Sequence, residues 1–301
     1  LIFETFTDPL GCFNFISIMY YKYYLSSILS SVFVKNIYFA YKLTRCAKLV
    51  YDAHMRMRLV GFLCVLLAGC GGGFRAPSEF TYVPTRAGAY QIATWQKIIN
   101  TAPDAPIYVF IEGDGHAFRA NGRPSSDPTP RGTFVRNLAM HTDADNIVYM
   151  ARPCQFIMSS ACTRHDWTDG RFSPAVVDGM ADAISQIATT HPVVLIGYSG
   201  GAMVSGLVIE RHPEINVRRW ITIAGVLNHA TWTAHFGDSA LTKSLDMTTL
   251  PDIAQTHYVA AQDTVVPPEL TRQIAAPSDI IVVQGATHDN FGNFSFNLLT
   301  K

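Results

Sequence analysis

The chain has 301 residues, no formal net charge and only 15% charged side chains. No block of Lys or Arg supplies the electrostatic attraction that nucleic-acid binding requires, so nucleic acid is not an expected partner. Residues 71–301 suffice for one domain with a sizeable core and are too few for two comfortable ones.

The beginning of the chain reads differently from the rest. Residues 1–54 are dense in aromatics, among them Phe13, Phe15, Tyr20, Tyr21, Tyr23 and Tyr24, with little turn chemistry. A short basic segment follows, Met55-Arg56-Met57-Arg58, then the apolar run Leu59–Leu67 and Ala68-Gly69-Cys70. That run is too short to span a hydrocarbon core of about 30 Å but matches a signal-peptide core. Leu67-Ala68-Gly69-Cys70 resembles a bacterial lipobox. The resemblance implies that residues 55–69 are a lipoprotein signal peptide and that Cys70 is diacylated as the mature N-terminus. Residues 70–79, with Gly71-Gly72-Gly73, would then be a flexible tether. The bland alternative is a buried helix that happens to contain a cysteine. Translation is expected to start at Met55 or Met57, making residues 1–54 a leader from a start placed too far upstream, in keeping with Leu1 in place of Met. The alternative is a membrane segment around Tyr24–Phe39, whose uninterrupted length Lys22 and Lys35 limit. The expected location is the periplasmic side of a bacterial envelope, lipid-anchored. In a Gram-negative cell the outer membrane is favoured, because Gly71 rather than Asp follows the cysteine.

Cysteine parity agrees with export. Cys12 and Cys46 lie in the leader, Cys64 in the signal peptide, and Cys70 is the lipidation site, which leaves Cys154 and Cys162. An oxidising periplasm could bridge that pair; two free thiols are the alternative. His165 and Asp166 are too few neighbouring ligands for a metal site, and neither a metal nor a cofactor is expected.

From residue 80 to 301, apolar β-branched runs alternate with helical patterns, which predicts βα units around a mainly parallel sheet flanked by helices. In chain order the strands are Tyr90–Lys97, Ile107–Ile111, Asn146–Ala151, Pro192–Gly197, Arg219–Ala224, Thr256–Ala261 and Asp279–Val283. Helices are expected over Thr133–His141, from Ser173-Pro174 to about Thr190, over Gly200–His212 and over Pro268–Ala275. Ser173 supplies a cap and Pro174 a first-turn proline. Asn228–Leu250, with Trp232, His235 and Phe236, breaks the alternation as a small cap insertion or pocket wall would.

Gly197-Tyr198-Ser199-Gly200-Gly201 matches G-x-S-x-G between a buried strand and a helix. Small neighbours let such a serine adopt a strained backbone and expose its hydroxyl, beside the free N–H groups of a helix start. A serine hydroxyl is a poor nucleophile at its free pKa, so a base and an orienting acid are needed. Asp263 and His288 each follow a strand and so fall on the same sheet edge as Ser199, where doubly wound folds gather ligands. Asp252 precedes its strand and His257 lies inside it, so both are the wrong-register alternatives. Asp263 as a turn residue and His288 as a loop histidine are the structural alternatives.

The order Ser199, Asp263, His288, with Asp263-Thr264-Val265-Val266-Pro267 and Gly285-Ala286-Thr287-His288, resembles the α/β-hydrolase fold family over roughly residues 80–300. The resemblance implies that His288 takes the Ser199 proton and that Asp263 fixes and stabilises the imidazole. The oxyanion hole needs two backbone donors. Gly200 is expected to give one, and Asp114 or Gly115, in the Gly113-Asp114-Gly115-His116 loop, the other; this loop departs from the His-Gly-Gly-Gly form of many lipases. Arg152, Asp166, Trp167 and the Cys154–Cys162 loop reach the same edge, either lining a pocket or forming ordinary surface.

The expected activity is hydrolysis of a carboxylic ester or related small acyl substrate through an acyl-enzyme. A peptidase or amidase could use the same triad, and a lipoprotein binding a ligand without turnover is the rival from another class. Oligomeric state is not legible.

Overall fold

The computed structural model describes Phe74 and residues 76–299. The expected leader, the expected signal peptide and Cys70 with the start of its expected tether lie outside the described residues. Among those described, no helix is long and apolar enough to cross a membrane.

Eight strands form a single sheet: β1 (Thr81–Ala87), β2 (Tyr90–Ile98), β3 (Ile107–Ile111), β4 (Asn146–Met150), β5 (Val193–Tyr198), β6 (Val217–Ile223), β7 (Gln255–Ala260) and β8 (Ile280–Val283). The spatial order is β1-β2-β4-β3-β5-β6-β7-β8. β1 and β2 pair antiparallel, as do β2 and β4; every other pairing is parallel. With its flanking helices this is the α/β-hydrolase fold expected from the sequence.

All the expected strands are present, with ends displaced by at most two residues. β1 was not expected. It carries Pro84, which reads against a strand, but the structure uses it at the sheet edge, where one side needs no partner.

The helices are α1 (Phe134–His141), α2 (Pro174–Ala188), α3 (Gly200–Arg211), α4 (His229–Phe236) and α5 (Pro268–Arg272). α2 starts as its sequence predicts: Ser173 Oγ accepts the Val176 N–H at 3.4 Å, with Pro174 in the first turn. Strand alternation divides β3 between two layers. Ile107, Val109 and Ile111 join α2 and α3 in one core cluster, together with Val193, Leu195 and Trp220. Tyr108 and Phe110 are buried on the other face.

The connection from β3 through α1 to β4 runs one way along the sheet. The connection from β4 through α2 to β5 runs back past β3. The direction therefore reverses between β3 and β5, and the loops leaving their C-terminal ends part to form a crevice.

Asn228–Leu250 is the insertion between β6 and β7. It begins with α4, capped by Asn228, whose Oδ1 accepts the Thr231 N–H at 2.7 Å. Its Leu241 and Met247 are buried in the core, while Phe236 stays exposed.

The packing of α3 on β3 leaves no room for a side chain at Gly201: a methyl there would stand 2.5 Å from the carbonyl oxygens of both Ile111 and Glu112. Gly201→Ala is expected to lower the unfolding free energy by about 1–3 kcal/mol, measured by urea denaturation at unchanged m-value. An unshifted midpoint would contradict this packing.

Candidate active site

β5 runs directly into α3, and Ser199 occupies the turn with φ 50° and ψ −122°, a left-handed backbone unusual for a residue with a side chain. The turn is held on both sides. The Ser199 N–H donates to Ile223 O at 3.0 Å, and Ser199 O accepts from Val226 and Ala202 N–H groups. It also needs its glycines: a Cβ on Gly197 would meet Ala202 Cα, Gly201 O and Ser205 Oγ, all at 2.6 Å.

Asp263 follows β7 and His288 follows β8. The Gln262 N–H donates to Ala286 O at 2.9 Å, tying the two loops together. Asp263 is buried; its Oδ1 accepts the N–H groups of Val265 and Val266, both at 2.8 Å, which turns Oδ2 toward the imidazole. His288 Nδ1 lies 2.8 Å from Asp263 Oδ2, and His288 Nε2 lies 3.1 Å from Ser199 Oγ. Tyr198 packs against the same imidazole with ring centroids 5.2 Å apart. The structure thus brings together the three residues singled out in the sequence.

The two wrong-register alternatives are elsewhere. His257 is fully buried within β7, between Thr222 Oγ1 at 2.8 Å and Gln255 Oε1 at 2.9 Å. Burial pushes its pKa down to about 4 despite the opposing charge of Asp279, as befits a neutral core histidine. Asp252 is exposed before the strand.

The loop after β3 lies against the serine. A Cβ on Gly113 would come within 3.0 Å of Ser199 Cβ. Gly115, at φ 62°, packs tightly on its other side: a Cβ there would meet Pro128 O at 2.2 Å and Gln155 Nε2 at 2.8 Å. Among the described residues, the backbone N–H groups of Gly200, Asp114 and Gly115 have no acceptor.

The Asp114 side chain lies over Gly200, where a Cβ would meet its Oδ1 at 2.1 Å. Its two oxygens are taken by Arg152 and Arg171. Burial disfavours this carboxylate, but the guanidiniums of Arg171 and Arg152 outweigh that and hold its pKa below the ordinary range. Arg152, Asp166 and Trp167 are buried and, with Arg171, line a small polar cavity behind the loop; they are not surface. Cys154 and Cys162 form a disulfide in the adjoining segment. Among the described residues, no group of three or more His, Cys, Asp or Glu is arranged to hold a metal ion. His165 pairs with Asp169 at 2.9 Å, and Asp166 accepts from Tyr90 and Thr163.

Sequence reasoning missed Arg171, Gln155 and Glu112. Only Glu112 left a signal: a carboxylate directly after an all-apolar strand. It is buried, accepting from Tyr149 Oη at 2.9 Å and from the Gly113 N–H at 3.1 Å.

No family model matches the chain, and no curated protein matches it. Several solved structures are similar to it. A serine hydrolase without a lid from Xanthomonas campestris has 12% identity and a TM-score of 0.47, covering 72% of this chain and 89% of its own. A serine hydrolase homologue from Coxiella burnetii has 16% identity and a TM-score of 0.46, covering 72% and 92%. One of a set of epoxide hydrolases from hot-environment metagenomes has 12% identity and a TM-score of 0.46, covering 69% and 92%.

Burial raises the Glu112 pKa to about 7, against the hydrogen bonds from Tyr149 and Gly113 and the charges of Arg136 and Arg152. A folded-state pKa above the unfolded value favours the fold while the group is protonated, and that contribution is lost as pH rises through about 7. Glu112→Gln removes the titration. Its stability relative to wild type is expected to rise by about 3 kcal/mol between pH 4.5 and pH 8. Urea unfolding across that range reads the slope, from which any constant offset drops out. Parallel profiles would show that the carboxyl titrates normally.

Proposed function

We propose that the protein is a serine hydrolase that cleaves a carboxylic ester or related acyl compound. The reading is carried by one observation: Ser199 Oγ, the His288 imidazole and the Asp263 carboxylate stand in a continuous hydrogen-bonded line.

With the proton of the neutral imidazole on Nδ1, facing Asp263, Nε2 is the free base toward Ser199. His288 takes the hydroxyl proton as Oγ attacks the acyl carbon. The resulting imidazolium lies against the buried Asp263 carboxylate, which stabilises it. The carbonyl oxygen, now an anion, is met by the unspent N–H groups of Gly200 and Asp114, the first at the start of α3. His288 then gives its proton to the leaving group, and the acyl-enzyme forms. Water enters by the same route in reverse and releases the acid. Gly115, whose N–H is also without an acceptor among the described residues, is the alternative to Asp114 as second donor.

The enzyme is further proposed to be held on the periplasmic side of a bacterial envelope by a diacylated Cys70, with Gly71-Gly72-Gly73 letting the domain reach substrate near the bilayer.

Three experiments test this reading. A fluorophosphonate probe is expected to label the purified protein at one site, and Ser199→Ala to abolish the labelling without changing thermal stability. A folded wild type that resists the probe would favour a binding protein instead. Rates on matched esters, amides and thioesters then separate an esterase from an amidase. In bacterial cells, Cys70→Ser is expected to move the protein from the membrane fraction to the soluble one. Its retention on membranes would refute the lipid anchor.

A further inference from the structure

The peptide joining Gly113 to Asp114 lies beside Ser199, since a Cβ on Gly113 would come within 3.0 Å of Ser199 Cβ, and something must fix which way it faces. Gly113 has no side chain to restrict its ψ, so on that side of the peptide only its neighbours fix the carbonyl. One orientation offers the Asp114 N–H to the reacting centre. The other offers the Gly113 carbonyl, a negative dipole where a negative charge is to develop.

Gln155 decides between them. Its side chain is buried, and both ends of its amide are engaged. Nε2 donates to Gly113 O at 2.9 Å, and Oε1 accepts the Arg152 N–H at 3.0 Å. Because a peptide N–H and C=O point in opposite directions across a trans bond, holding the carbonyl on the Gln155 side directs the Asp114 N–H away from it. The unspent state of that N–H agrees with this arrangement.

Gln155 is itself held by a rigid segment. Cys154 at φ 72° and Phe156 at φ 61° are both left-handed without being glycine, which a loosely held loop would not sustain. The Phe156 N–H donates to Thr129 Oγ1 at 2.7 Å, and the Cys154–Cys162 disulfide closes the loop.

We infer that Gln155 is a positioning residue that presets the oxyanion hole by clamping the Gly113 carbonyl. It touches no substrate atom and acts through the Asp114 N–H. The inference rests on the hydrolase reading above.

Gln155→Met keeps the length of the side chain and removes the donor. Gln155→Glu keeps the acceptor for the Arg152 N–H and also removes the donor. With an acyl ester that the wild type turns over, either variant is expected to lose about 100-fold in kcat while KM changes little. The inhibition constant of an alkyl trifluoromethyl ketone, whose hydroxyl-addition product carries the oxyanion, should rise by a similar factor. Binding of the intact ester, measured in a Ser199→Ala background, should be unchanged. A residue of merely structural importance would weaken ester and ketone binding alike, and that result would overturn the inference. So would a folded variant with wild-type kcat and ketone affinity. If Gln155→Met does not fold, Gln155→Glu is read the same way. A wild type that neither turns over esters nor binds the ketone would overturn the hydrolase reading itself, and this inference with it.

Discussion

The close approach of two strand ends, β3 and β5, is the constraint on which the remainder of the site depends. Gly201 packs against the carbonyls of Ile111 and Glu112, and Gly113 packs against Ser199. Both contacts exist only because each position lacks a Cβ. They bring a helix start and a loop rich in backbone N–H groups to one point, at the place where the sheet's winding direction reverses. The Asp263 and His288 loops then need only reach inward from β7 and β8. The Gln262–Ala286 hydrogen bond fixes them to each other before either meets the serine.

Much of this was legible in the sequence because it is local. The elbow is announced by glycines at 197, 200 and 201 between an apolar strand and a helix. Asp263 and His288 are placed by the strands before them, and the alternation of strand and helix patterns fixes their common edge. Rejecting His257 followed from its register alone: a residue inside a central strand cannot reach the loop side, and its neutral, doubly hydrogen-bonded state agrees. What escaped was non-local or at odds with local propensity. β1 is a strand only because its proline faces the open edge, and α4 is a short helix in a segment without a helical apolar stripe. Gln155 meets Gly113 across 42 positions and Arg171 meets Asp114 across 57, and nothing in either neighbourhood marks a partner.

The loop after β3, proposed as an oxyanion hole, shows how far a motif carries. Its small residues pointed to Gly113–Gly115, but only the fold separates them. Gly113 packs against the serine, Gly115 packs against Pro128 with its N–H unspent among the described residues, and the peptide between 113 and 114 has its carbonyl engaged by Gln155. The same loop departs from the glycine-only form in bearing Asp114, whose side chain would be a liability left alone. Arg152 and Arg171 take its two oxygens, so a position chosen for its backbone keeps its carboxylate occupied.

A broader electrostatic argument follows. Three carboxyl groups, Glu112, Asp114 and Asp263, surround a centre where the proposed chemistry develops a negative charge, and unscreened negative charge there would oppose it. Each is disposed of differently. Glu112 is buried, which raises its pKa to about 7 and so reduces its charge around neutral pH. Asp114 keeps its charge but shares it between two guanidiniums. Asp263 faces the one group, His288, that becomes positive in the proposed chemistry as the oxyanion becomes negative. Backbone N–H groups without an acceptor among the described residues are then left beside Ser199, of the sign the proposed chemistry requires. The departure of this loop from pure glycine is tolerable because the charges it introduces are cancelled within the segment spanning residues 112–171.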